Sequence, residues 1–319
     1  MIRIELTQNH IDTHYLKVST LLKKRITNVL NKGYIYKKNR ANPLVSKKMR
    51  RFLSFLKKDK GLETLIKATP TRLERIISNY IKSWKDITIS STDDYQILYN
   101  IFVTSGYEKI SKSDFISSIN LNTCSYCNRQ YIFKIGKDRI IKPEIDHFFP
   151  KGRHPLLAVS VYNLIPSCET CNGTNCKYKT DPHIVGLISP YIMQGDEFLF
   201  SYKLIKLEKK APLLGSKVEL ILSKKIQSNS DLFGIEEFYK NHDDHVVELM
   251  LKSKIKYSIR YKKFLFDLKG IHFSNKEFNR MIVGNYTDIN DLHKRPLSKM
   301  YRDIAFELGL ITEHNDRTD

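Results

Sequence analysis

Apolar residues recur at three- and four-residue spacing through Tyr15, Leu16, Val18, Leu21, Leu22, Ile26, Val29 and Leu30, and again through Phe52, Leu53, Phe55 and Leu56. That period gathers them on one face of a helix. After Pro70, the residues Leu73, Ile76, Ile77, Tyr80 and Ile81 share a face, and Thr71 three before Glu74 predicts a capping box. A further helix is expected from Asp93 to about Val103. From Gln130 the period shortens to two: Tyr131, Phe133 and Ile135 alternate with polar neighbours, Gly136, Lys137 and Asp138 form a turn signal, and 140 to 145 is a second extended run. This predicts a β-hairpin. A loop with Pro150, Gly152 and Pro155 follows, then an apolar stretch to Leu164 and a short helix opening at Cys168. Farther on, 198 to 207 and 218 to 222 read as strands, 232 to 268 as a long helical stretch, and 297 to 308 as a last helix.

No internal repeat, low-complexity tract or Pro/Gly/Ser linker interrupts the chain. The pattern predicts an α+β fold, mostly helical, in three regions: a helical region over 1–115, a hairpin-and-helix core over 116–185, and a strand-then-helix region over 186–319.

Charge adds a partner class. The formal net charge is +20, and residues 1–90 hold 21 Lys and Arg against 6 Asp and Glu. A field of that sign attracts polyanions, nucleic acid foremost. Its densest stretch is Lys37, Lys38 and Arg40 through Lys47, Lys48, Arg50 and Arg51, beside Tyr34 and Tyr36. A solvated helix face, or a surface for an acidic protein, fits the same residues. No apolar run approaches a membrane-spanning length, and the amino terminus lacks a secretory pattern, so a cytoplasmic location is expected.

All five cysteines fall between Cys124 and Cys176. Cys124 and Cys127 form one C-x2-C pair and Cys168 and Cys171 a second, a set of soft sulfur donors suited to a closed tetrahedral zinc site rather than to magnesium. Cys176 is a bystander, because a fifth sulfur has no place in a tetrahedron.

Between the pairs, Asp146 and His147 adjoin at the end of a predicted strand. A carboxylate offers hard oxygen to Mg²⁺ or a similar ion, and an imidazole can take a proton from water. Asn163 precedes the second cysteine pair and Asn172 closes it. Glu144 shares strand parity with Asp146 and is expected in a salt bridge or beside the metal. Lys151, Arg153 and His154 follow directly and are candidate phosphate contacts, or a basic surface loop. His242, Asp243, Asp244 and His245 lack a completing ligand at helical spacing and read as a solvated polar face. His183, His272 and His293 read as structural.

The segment from about 121 to 180, with CSYC, EIDHFFP, VYNLIPSCETCN and a following lysine, resembles the HNH or ββα-metal endonuclease family. The resemblance implies a purely structural zinc on the four paired cysteines and a Mg²⁺ or Mn²⁺ that is catalytic. It makes His147 the general base, Asp146 and Asn172 ligands of the catalytic metal, and Asn163 the residue that fixes the loop beneath the base. Lys177 matches the family's lysine but lies five residues past Asn172 rather than about three, and Asn175 is an alternative to Asn172. Lys151, Arg153 and Lys177 become the candidate nucleic-acid contacts. The wider order, with Leu232, Phe233, Gly234, Ile235, Glu236, Glu237, Phe238 and Tyr239 in the tail, resembles the HNH effectors of Septu-type and retron-associated phage-defence systems. This implies an ABC/SMC-like ATPase partner. The expected function is therefore metal-dependent cleavage of DNA; cleavage of RNA, or a non-catalytic zinc module that binds nucleic acid or protein, are the alternatives.

Overall fold

The computed structural model describes residues 1–33, 43–132, 144–256 and 273–311. Two compact units share the chain: one holds 4–120 and 132–192, the other 1–3, 121–131 and 193–319. Among the described residues the fold is α+β, helices with two small antiparallel sheets.

In the first unit α1 (Gln8–Lys32) opens on a capping box in which Thr7 and His10 serve each other's backbone N–H groups. Its inward face, Ile11, His14, Val18, Leu22, Ile26 and Val29, follows the helical period and packs on α2 (Lys47–Lys57) and α3 (Asp59–Ile66). Between α2 and α3 the backbone doubles back so closely that a Cβ at Gly61 would lie 2.5 Å from the Phe55 carbonyl oxygen. α4 (Pro70–Ser83) buries Leu73, Ile77 and Tyr80, but its cap is not the expected one. Pro70 takes the first helical position, where its missing N–H costs nothing, so Thr71 already lies inside the helix and Thr69 caps without a side-chain hydrogen bond. α5 (Asp93–Leu98), capped by Thr92, runs on as a π-helical turn, Tyr99–Thr104, closed by Ser105 N–H donating to the Asn100 carbonyl. α6 (Lys112–Ile119) starts on Ser111 and stops at Asn120 in the left-handed region, φ 56°.

Two strands complete this unit's sheet. β1 (Glu144–His147) pairs antiparallel with β2 (Leu164–Ser167), Asp146 opposite Ile165 and His147 opposite Leu164. The predicted hairpin partner, 133–139, and most of the second run lie outside the described residues; the strand seen beside β1 comes from the apolar stretch before Cys168. α7 (Glu169–Asn172) and α8 (Pro182–Val185) follow, and α7 packs on β1.

In the second unit β3 (Phe198–Lys206) pairs antiparallel with β4 (Lys217–Lys224) around the short α9 (Pro212–Gly215), with an irregularity between Leu204 and Lys206. Alternation buries Phe198 and Phe200 on one strand and Val218, Leu220 and Leu222 on the other. The predicted single helix from Leu232 is broken. α10 (Gln227–Phe233) ends at Gly234, φ 55°, α11 (Ile235–Tyr239) follows, and α12 (Asp243–Leu251) restarts after a 3-10 turn; 257–272 lies outside the described residues. Glycine enters the left-handed region at little cost, which stops a helix that the apolar period alone would continue. α13 (Asn275–Val283) has a full capping box from Ser274 and Glu277, and α14 (Ser298–Glu307) packs on β3.

The segment 121–131 is fixed within this unit through Asn128, φ 51°. Its Nδ2 donates to Thr123 and to the Leu292 carbonyl, its Oδ1 accepts from Lys299 N–H, and its own carbonyl accepts from Leu297 N–H. Tyr126 stacks on Phe233 at 4.1 Å, and Tyr239 donates to the Cys127 carbonyl.

Candidate functional site

The Sγ atoms of Cys124, Cys127, Cys168 and Cys171 all lie within 4.8 Å of one another, and all four residues are buried. Around the first pair, Cys124 N–H donates to the Gln130 carbonyl, Asn128 N–H to the Cys124 carbonyl, and Arg129 N–H reaches Cys127 Sγ at 3.4 Å. In the second pair Cys168 is the N-cap of α7 and Cys171 lies within it, with Asn172 N–H on the Cys168 carbonyl and Lys177 N–H on that of Cys171. Four buried sulfurs at this spacing form a cluster that could hold a structural metal such as zinc. Cys176 is not part of it. Among the described residues no second group of three or more His, Cys, Asp or Glu reaches this geometry, so the 242–245 run makes no such group. There His245 Nδ1 pairs with the Tyr301 hydroxyl at 2.7 Å instead.

β1 carries Asp146 and His147 into the interior, 4% and 6% exposed. His147 Nε2 lies 3.0 Å from the Ala158 carbonyl. A carbonyl only accepts, so Nε2 carries the proton and Nδ1 keeps its lone pair. Burial, reinforced by Lys151, Lys112 and Lys177, holds this imidazole down to about 3, so it is neutral at physiological pH. The ring of Tyr107 meets it edge-on at 4.2 Å. Burial, with Asp146, Glu144 and Glu108 adding to it, raises the Tyr107 phenol far above its ordinary range, and its hydroxyl donates to the Ile145 carbonyl.

Lys177 is fully buried, its Nζ 2.7 Å from the Thr180 carbonyl, 3.5 Å from that of His147 and 3.9 Å from Asp146 Oδ2. Burial lowers it, and the Asp146 and Asp181 carboxylates pull it back. Glu144 is bound to Asn172, whose Nδ2 donates to Oε2 at 2.6 Å. Asn175 is exposed.

Asn163 is buried and acts on the loop between the strands. Its Oδ1 accepts from Phe149 N–H at 2.7 Å, while Nδ2 donates to the carbonyls of Phe149 and Leu157. Helical residues hold the same loop from outside. Tyr95 donates to the Gly152 carbonyl, His14 Nε2 to that of Val159, and Ser160 to that of Leu65. Tyr80 donates to His154 Nδ1, and His154 Nε2 donates to Asp181 Oδ2 at 2.7 Å.

Of the candidate phosphate contacts, Lys151 is half-buried with Nζ 4.7 Å from the Tyr107 ring centroid. Arg153 is exposed and lies 3.4 Å from Asp181. His154 is enclosed by Tyr80 and Asp181 and offers no face to a ligand. In the basic front, residues 34–42 lie outside the described residues, while Lys48 donates to the Ser83 carbonyl and Arg50 to that of Leu30. Sequence reasoning does not find Tyr107, Lys112 and Asp181 as site residues. Each is far from the Asp-His pair along the chain and carries no local pattern.

Comparison with protein-family models, with curated proteins and with solved structures finds no match.

Proposed function

We propose that this chain is a metal-dependent endonuclease of the HNH type, cleaving phosphodiester bonds in DNA. One observation carries the reading: His147 is held by a carbonyl on Nε2 so that Nδ1 is a fixed, neutral proton acceptor, on the strand that also carries Asp146.

Asp146 and Asn172 would hold the catalytic cation. The donor chemistry fits, since both offer hard oxygens of the kind that bind such an ion. When bound, Mg²⁺ or Mn²⁺ stabilises charge on the phosphate oxygens. His147 Nδ1 takes the proton of the attacking water, and the Ala158 carbonyl then faces an imidazolium, which it stabilises through the Nε2 hydrogen bond. Asn163 and Tyr107 keep loop and ring in place. Glu144 accepts from the Asn172 Nδ2, which leaves the amide oxygen for a ligand.

The test is cleavage of plasmid DNA by purified protein with Mg²⁺ or Mn²⁺, set beside His147→Ala. Loss of activity by about 10²-fold or more in the variant is expected; equal cleavage by both refutes the proposal. Labelled DNA and RNA in parallel decide the substrate, and RNA-only cleavage overturns the DNA assignment. Absence of cleavage of either leaves a zinc-bound module as the reading. The proposed ATPase partner of a phage-defence system is tested by co-purification from the native operon, and a nuclease fully regulated alone refutes it.

A further inference from the structure

Two ammonium groups converge on one ring beside the proposed base. Lys151 Nζ lies 4.7 Å and Lys112 Nζ 5.7 Å from the centroid of Tyr107, whose edge contact with His147 is 4.2 Å. They come from separate elements, Lys112 from the first position of α6 and Lys151 from the loop after β1. Among the described residues neither has a carboxylate in ion-pair contact. Glu108 acts on Lys151 only through space, and Asp146, Glu144 and Glu108 act on Tyr107 in the same way.

Such a pair is unfavourable by itself. Each ammonium gains from the ring's negative face, but the two repel one another, and Lys151 is also partly stripped of water. An anion between them reverses both penalties. We infer that Lys112 and Lys151, lying over Tyr107, form a subsite that seats one backbone phosphate of a nucleic-acid strand next to His147. Contacts of this kind position a strand without reading its bases, so the subsite is indifferent to sequence. The identity of the ligand rests on the nuclease reading; the subsite itself is tested apart from cleavage.

The experiment measures binding of short fluorescein-labelled DNA duplex and single-stranded RNA by anisotropy, over a range of NaCl, in the His147→Ala protein with no added divalent cation. Lys112→Gln and Lys151→Gln are each expected to weaken binding roughly tenfold and to lower the salt slope by about one. Lys210→Gln, which removes an exposed lysine elsewhere, controls for the loss of charge alone, and Lys112→Arg is expected to retain affinity. Lys112 is exposed, so its replacement leaves the fold intact. If Lys112→Gln and Lys151→Gln bind no more weakly than Lys210→Gln, the subsite is refuted whatever the cleavage assay shows. If they weaken both probes while His147→Ala cleaves as well as the parent, the subsite stands and the nuclease proposal falls. Weakening of one probe alone identifies the strand type the subsite holds.

Discussion

Replacing Asn163 by alanine tests how the loop carrying His147's carbonyl partner is held. The side chain is fully buried and makes three hydrogen bonds, from Phe149 N–H and to the carbonyls of Phe149 and Leu157. Not all three losses are equal. The Leu157 carbonyl keeps a second donor in Ser160 N–H at 3.2 Å, whereas the buried Phe149 N–H loses its Asn163 acceptor. A stranded buried amide costs about 1–3 kcal/mol and each of the two remaining bonds about 1 kcal/mol, so Asn163→Ala is expected to lose about 3–5 kcal/mol. Asn163→Asp keeps the acceptor for Phe149 N–H but turns a carboxylate toward two carbonyl oxygens. Its loss is therefore expected to be at least as large at neutral pH and to shrink on acidification, since protonation restores one donor. Trp84, the single tryptophan, is buried against Phe52 in the same unit and reports urea unfolding by fluorescence. A change below about 1 kcal/mol for Asn163→Ala would show that water or a local shift replaces the amide and refute the loop-clamp reasoning.

Other outcomes follow from the same structure. Elemental analysis of purified protein should find about one zinc per chain, lost in Cys168→Ser together with stability; zinc-free protein of unchanged stability refutes a structural metal. His14 is held below its ordinary value of 6.5 by burial, partly offset by its bond to Val159. The unfolded chain thus binds the proton more readily, and stability should fall as pH drops below 6.5. His14→Gln, which keeps a donor for the Val159 carbonyl, should flatten that part of the pH profile; an unchanged profile refutes the assignment. A Cβ at Gly106 would lie 2.5 Å from the Phe102 carbonyl oxygen and 2.9 Å from Val159, so Gly106→Ala is expected to cost about 1–3 kcal/mol by chemical denaturation. A neutral result there means the turn before Tyr107 yields more easily than its packing implies.

The chemistry-bearing residues that lie near one another along the chain were legible, because their spacing is itself the signal. Two C-x2-C pairs announce a sulfur cluster before any fold is known, and the four sulfurs do come together. Asp146 beside His147 on a strand was equally local. What sequence could not supply was partners set by tertiary packing. Tyr107 precedes His147 by 40 residues, and nothing in its neighbourhood marks it. Local rules also misled where two competed: the Thr71 and Glu74 pattern lost to Pro70, which claims the first helical position. Gly234 was a readable break that the apolar period on either side concealed.

The helical amino-terminal region has a physical task that its charge obscures. Its lysines and arginines suggest a surface for polyanions, yet several are spent within the fold. Lys48 and Arg50 bind carbonyls and Lys67 pairs with Asp12 and Glu63. The more consequential residues of these helices are neutral or weakly titrating. Tyr80, Tyr95 and His14 each hold a different point of the loop from 149 to 163, and that loop presents the Ala158 carbonyl to His147. A short two-stranded sheet has little stability of its own and cannot fix an imidazole to within a few tenths of an ångström. Packing the loop against a helical layer supplies that rigidity. The tautomer of the proposed base is therefore determined by α1, α4 and α5 as much as by the strand that carries it.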